Sequence, residues 1–419
     1  MKVSKHYEAI ALILFFLTFG TIMLNRMAQL FMGPDLVSAL NLSNTQVGIL
    51  ASGVSICWAF SSLLCGSLSD RIGRKRVLIP ALIVFSICSG LSGLVHNFWQ
   101  MLAVRAALGI AGGPSCIVIM ALAEQSSQPE HRGRNLGIVN GAAALVGSAV
   151  APVLVTQIAA AFGWRYSFFL VGIPSLVLSL LVWKFINEPS VNHAVNLAND
   201  DGHDSFTLRN NLNVLVNNRQ LWLCVLAAAG LTTWLFCFTA FTPLYMTKVM
   251  HQSSVRVGLL MSAFGLGSFI YSFVAPSLSD WSGRKPVVFV CGTLAAVTPL
   301  VFMIHSLYNT PMLLALIVFL CSGYAPASGL ILAVVPAEAV PARHVAMAMG
   351  FAGLGAELLG ATISPTLGGW LADQYGLAAP LFMATGGAIL VCLVSLFMAE
   401  TAPRKMASAK ALLSTEEMY

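Results

Sequence analysis

Apolar residues run along this chain in stretches of about 20, the length a helix needs to cross the hydrocarbon of a bilayer. Twelve such stretches begin near Ala9, Val47, Val77, Trp99, Leu136, Ser167, Leu221, Val255, Val287, Met312, Ala346 and Ala379. Between the sixth and the seventh lies the one long polar stretch, Glu188 to Gln220. The pattern predicts an all-α, multi-pass membrane protein built of two six-helix bundles, 1–187 and 221–401. A linker over 188–220 joins them, and a tail over 402–419 follows.

Composition strengthens this reading, because 58% of the residues are hydrophobic and only 9% are charged. A soluble chain carries about a quarter charged residues, so most of this surface must face lipid. The net charge of +6 sits in short clusters between the apolar runs, which argues against a nucleic-acid partner. All nine cysteines lie inside apolar runs and none forms a C-x-x-C pair, so no disulfide framework or zinc site is indicated. The first run continues too far for a cleaved signal and reads as a retained span.

Seventeen of the 22 Lys and Arg residues fall on the side of both termini. The positive-inside rule then places both ends in the cytoplasm. The halves also repeat. "GSLSDRIGRKR" ends the second span and "PSLSDWSGRKP" the eighth, with Asp70 and Asp280 210 residues apart. Gly137, Gly147 and Pro152 match Gly350, Gly360 and Pro365, each 213 apart. Duplicated six-helix halves are a transporter architecture, with the substrate near the midplane between them.

The stretch G-x-x-x-D-R-x-G-R-K-R, at Gly66, Asp70, Arg71, Gly73, Arg74, Lys75 and Arg76, resembles the signature loop of the major facilitator superfamily. Its weaker echo in the second half and the R-x-x-x-G of Arg105 and Gly109 match as well. The resemblance implies twelve transmembrane helices in two pseudo-symmetric bundles. It also implies a gating role for the loop, latching the halves on the cytoplasmic side through Asp70 and Arg74 and, more weakly, Asp280 and Arg284.

Three charges remain inside spans: Arg26, Arg105 and Glu357. An arginine at membrane depth costs about 2.5–3.5 kcal/mol by insertion scales, so each needs a reason. Arg26 could snorkel, but Gly33-Pro34 at the outer end is about 11 Å away. Thr18, Asn25, Arg26, Gln29 and Gly33 share one sector of the first helix, which favours a wet cavity over lipid. The stretch "LNRMAQLFMGPDLVSALNLSNTQVGIL" also resembles the first helix of the anion:cation symporter branch, which moves sugar acids and similar carboxylates. That resemblance gives Arg26 the substrate's anionic head, and a guanidinium fork suits a carboxylate.

The chain departs from the branch in telling places. Asn25 stands where an aspartate is usual, Gly112 where many members have a glutamate, and Trp58 and Ser62 where a tyrosine and a glutamine are usual. Proton coupling through those two acidic positions is excluded. An exchanger, a sodium-linked carrier and a relocated proton site are what this leaves. Glu357, on a face with Gly350, Gly353, Gly360 and Ser364, is the candidate coupling group, or else a partner ion-paired across the halves. Arg105 reads as a buried structural arginine or as a second positive group beside the cavity.

The far wall is expected on the seventh and tenth spans. Trp234, Phe238, Phe241 and Tyr245 form one aromatic stripe, serving packing or binding, and Cys321, Tyr324 and Ser328 a mixed polar face. An apolar pocket with a few convergent polar groups is the usual character of a small-molecule site. No nucleophile, metal cluster or G-x-x-x-x-G-K-[ST] loop appears, so neither an enzyme nor direct use of ATP is expected, and no cofactor. "GAAALVGSAVAPVLV" in the fifth span lacks the paired glycines of drug antiporters, which weighs against drug export while leaving metabolite efflux open. The expectation is a monomeric, inner-membrane importer of a small organic anion, coupled to a proton or sodium.

Overall fold

The apolar runs become twelve long helices in the computed structural model, which describes residues 5–128, 131–187, 215–341 and 344–402. They are α1 (Lys5–Phe31), α2 (Asn44–Ile72), α3 (Arg74–Leu91), α4 (Phe98–Gln125), α5 (Arg132–Phe162) and α6 (Trp164–Phe185) in the first half. The second half holds α7 (Arg219–Lys248), α8 (Ser254–Ser282), α9 (Arg284–Val301), α10 (Pro311–Glu338), α11 (345–375) and α12 (Ala379–Phe397). No strand occurs among the described residues. Eleven of the twelve are long and apolar enough to cross a membrane. The exception is α3, whose 18 residues open on Arg74, Lys75 and Arg76. It packs along α4 and α6 nonetheless. Most of the linker (188–214) and the tail from 403 lie outside the described residues.

Local chemistry sets the helix ends. Ser43 caps α2 in a reciprocal box with Gln46, and Asn97, Asn218 and Ser253 cap α4, α7 and α8. Between α2 and α3, and again between α8 and α9, the chain turns on a single glycine, Gly73 (φ 114°) and Gly283 (φ 105°). A side chain is strained at such angles, which explains a glycine at both ends of the 210-residue repeat.

The repeat extends to irregularities. Both α5 and α11 loosen into a π-helical stretch, Ala143–Val150 and Ala356–Ile363, just before Pro152 and Pro365. A proline ring clashes with the carbonyl four residues back, and widening the preceding turn relieves the clash. These stretches let α5 and α11 cross the other half's α8 and α2. A Cβ at Gly48 would fall on the backbone of Pro365, and one at Gly258 would stand 2.8 Å from the carbonyl of Pro152. The two crossings are copies related by the internal two-fold.

Both crossings lie toward the face opposite the chain ends, and they close it. There Asp373, at the end of α11, accepts from the backbone amides of Asn44 (3.0 Å) and Thr45 (2.9 Å) and from the Thr45 hydroxyl (2.5 Å). A carboxylate of one half thus caps a helix N-terminus of the other. Toward the terminal face the same helices diverge: a Cβ at Gly133, Gly137, Gly350 or Gly353 would meet nothing within 4 Å. In each signature loop an arginine bonds within its own half. Arg74 donates to the carbonyl of Ala121 (2.9 Å), while Arg284 pairs with Asp280 (2.5 Å) and Glu338 (2.8 Å). The side chains of Gly66, Asp70 and Arg71 lie outside the described residues.

Removing the inter-half cap should loosen the closed face. A lost helix cap is worth about 1 kcal/mol, or roughly a fivefold change in an equilibrium. In Asp373→Ala, spin labels at Ala39→Cys and Tyr375→Cys, both exposed on that face, should show a larger long-distance population than in the parent. An unchanged distance distribution would show that the cap does not hold the face closed.

Candidate functional site

The charged centre lies where α1, α2, α7 and α11 meet. Arg26 projects from α1, and its Nη2 donates to both carboxylate oxygens of Glu357 on α11, at 2.9 and 3.1 Å. It also reaches Ser55 on α2 at 3.4 Å. The Arg26 side chain is 8% exposed and that of Glu357 26%. Among the described residues this is the ion pair that joins the two halves.

Aromatic rings complete the cage. The guanidinium carbon lies 4.4 Å from the ring centre of Trp58 and 5.2 Å from that of Phe236, both within cation–π range. Trp58 occupies the space beside Gly112, where an added Cβ would fall on its ring and stand 3.0 Å from Phe85. The missing side chain at 112 therefore makes room for the indole that covers Arg26.

Two donors in this cage have no acceptor. Arg26 Nε and Gln29 Nε2 are both buried and unpartnered. They line a small cavity of about 10 Å³ with Leu30, Ala51, Val54 and Phe236. That is roughly the room one water needs. Buried donors without partners are costly, so such a cluster is poised for an acceptor. A larger groove, about 660 Å³, runs elsewhere between α2 and α11 past Ile49, Ile56, Ile363 and Trp370, and its lining carries no charged residue.

The first helix separates its polar sector. Thr18 bonds back to its own helix at Leu14 (2.6 Å). Asn25 turns into the first bundle, donating to the carbonyl of Val171 (3.2 Å) and the hydroxyl of Ser175 (3.4 Å) and accepting from Ser89. Arg105, 1% exposed, donates from Nη1 to the Asn25 carbonyl (3.4 Å) and lies 4.6 Å from the Phe168 ring. Its Nε and Nη2 are buried without partners. Of the expected sector, only Arg26 and Gln29 face the cavity.

On the far wall, Trp234 and Phe238 are fully buried inside the second bundle. Trp234 stacks on Phe238 (4.7 Å) and on Tyr324 (5.4 Å) and donates to the carbonyl of Ala295 (2.7 Å). Tyr324 restarts α10 after a break over 321–323 and lies near enough to feel the charges of Arg26 and Glu357. Phe236, two residues from the stripe's lead member, is the ring that reaches Arg26. Sequence reasoning missed Phe236 and Ser55. Ser55 stands three residues from Trp58, one helical turn, and that spacing was the available signal.

Comparison with known proteins agrees with this architecture. The Major Facilitator Superfamily profile matches residues 14–356 and again 236–415. The hexuronate transporter of Bacillus subtilis (strain 168) is 28% identical over 393 residues, 91% of this chain and 92% of that one. A probable L-galactonate transporter of Escherichia coli (strain K12) is 26% identical over 294 residues, 68% of this chain and 64% of that one. Among solved structures, the nucleoside transporter NupG superposes with a TM-score of 0.74 at 14% identity, covering 94% of this chain and 98% of that one. These relatives are transporters, not enzymes. With twelve helices in two repeated bundles and a family profile across nearly the whole chain, this protein is a transporter belonging to the Major Facilitator Superfamily.

Proposed function

We propose that this transporter imports a small organic anion, a sugar acid or another carboxylate, driven by an ion gradient and cycling by alternating access. The observation that carries the reading is the pair of unpartnered donors, Arg26 Nε and Gln29 Nε2, on one cavity beside an arginine. A carboxylate offers the acceptors both lack, and the planar guanidinium takes it in parallel hydrogen bonds. The relatives named for hexuronate and galactonate transport support the same substrate class.

The other candidate residues take graded parts in this reading. Trp58 and Phe236 wall the anion and keep water from it. Asn25 and Arg105 hold the first helix in place from behind, and Trp234, Phe238 and Tyr324 back the opposite wall. With the terminal face in the cytoplasm, as the Lys and Arg distribution favours, this conformation is closed outward and open inward. The opposite closure would bring together the cytoplasmic ends around Gly350, under the latch of Gly66, Asp70, Arg71, Gly73 and Arg74 and its echo at Asp280 and Arg284. The partners are the substrate, the coupling ion and the lipid of the cell's inner membrane.

Uptake of labelled glucuronate and galactonate by cells expressing the protein tests the anion site. Arg26→Gln and Arg26→Lys, each verified as folded by size exclusion, should fall below a tenth of wild-type uptake. Gln29→Leu should raise KM about tenfold, the loss of roughly one good hydrogen bond to a charged group. Uptake at the wild-type level by Arg26→Gln would reject the reading. For the cycle, Gly350→Trp should retain substrate binding in a thermal-shift assay, since its position is open in this conformation, yet lose transport. Retained transport would show that the cytoplasmic ends do not close over Gly350.

A further inference from the structure

The ion pair between the halves constrains what else can bind to Arg26. A guanidinium keeps its charge at any physiological pH, so Glu357 is the member of the pair that can change charge. Among the described residues, the first half offers Arg26 no acid of its own. Asn25 is an amide turned into the bundle, and the place beside Gly112 is filled by Trp58. The negative charge comes from the other half, and its carboxylate already occupies Nη2 with both oxygens.

A substrate carboxylate arriving beside an ionised Glu357 would set two like charges on one guanidinium. Within a cage of rings and away from bulk water, that repulsion is strong. A proton on either oxygen of Glu357 removes it and releases Nη2. We propose that Glu357 is the proton-binding site of this carrier: its carboxylate holds Arg26 while the carrier is empty, and the proton that neutralises it hands Arg26 to the substrate's carboxylate. The proposal rests on Arg26 as the anion site. The proton is taken from the solution that the site faces, forms one O–H bond on Glu357, and leaves by the same bond when the substrate departs. One proton accompanies one carboxylate.

The surroundings fit a single titrating group. Arg26 from α1 contacts Glu357, Cys116 on α4 and Tyr324 on α10 lie within electrostatic reach of the pair, and α2 presents Ser55 and Trp58 and α7 presents Phe236 to Arg26. Thiols and phenols ordinarily ionise near about 8.5 and 10, above the range in which a carrier works. A route for the proton is also present. Glu357 keeps 26% of its side chain exposed, and one and two turns along α11 Gly353 and Gly350 face open space.

Calorimetric titration of the purified full-length protein with glucuronate and with galactonate, between pH 5.5 and 7.5, tests this. Both probes stay ionised throughout, so their own charge is constant. In the wild type, Kd should weaken about tenfold per pH unit, and titration in two buffers of different ionisation enthalpy should show one proton taken up per ligand. Glu357→Gln, a permanently neutral side chain of the same shape, should bind independently of pH with no proton uptake. Glu357→Asp should restore the slope. A Glu357→Gln protein that keeps the wild-type slope and proton uptake would overturn the proposal, leaving the anion site intact if Arg26→Gln no longer binds. Binding by Arg26→Gln with wild-type affinity would overturn both.

Discussion

A guanidinium withdrawn from water is costly unless it is paired, and the pairing of Arg26 organises the contact between the two halves. The partner comes from the opposite bundle, so the pair ties the two halves where they touch. Neighbouring choices follow from it. Trp58 and Phe236 cover the cation, Gly112 gives the indole its space, and Asn25 and Arg105 brace the helix that carries Arg26. Breaking a buried pair by removing one partner leaves an uncompensated charge, which is far costlier than removing both.

The internal repeat builds the frame, and departures from it build the site. Glycine turns, π-helical stretches and prolines recur at 210 or 213 residues, and both inter-bundle crossings are made alike. The chemistry is not duplicated. At 213 residues before Glu357 stands Ala144, and the spacing of Met23 on Gly147 and Thr232 on Gly360 makes Leu235 the counterpart of Arg26. Two apolar residues thus mirror the ion pair. The scaffold is symmetric, and the single charge pair at its centre breaks that symmetry.

The twelve helices and their approximate starts were legible because membrane-length apolar runs have few other structural solutions. Even α3, too basic at its start to qualify by hydropathy, was visible as the run beginning at Val77. Arg26 and Glu357 were legible as individual charges that lipid would not tolerate. Their contact was not, because 331 residues separate them and no local pattern records a meeting across the bundles. Periodicity shows which residues share a helix face, but in a helix apolar all round it does not show which neighbour that face meets. Hence the stripe of Trp234 and Phe238 turned out to lie in the second bundle's interior, and Phe236 beside the charge. Asn25, adjacent to Arg26 in sequence, points about one residue's rotation away and belongs to the packing of α1 on α3 and α6.

The Arg26–Glu357 pair has an electrical consequence. A membrane potential does work on net charge, about 2.3 kcal/mol for one elementary charge crossing 100 mV. An arginine alone at the centre would make every rearrangement of the two bundles feel that field. Paired with a carboxylate 2.9 Å away, it presents the field with a short dipole in place of a monopole. The Arg26–Glu357 pair thereby adds little to any voltage dependence of the bundles' movement, and Arg105, which has no carboxylate beside it among the described residues, is left as the charge on which the field acts.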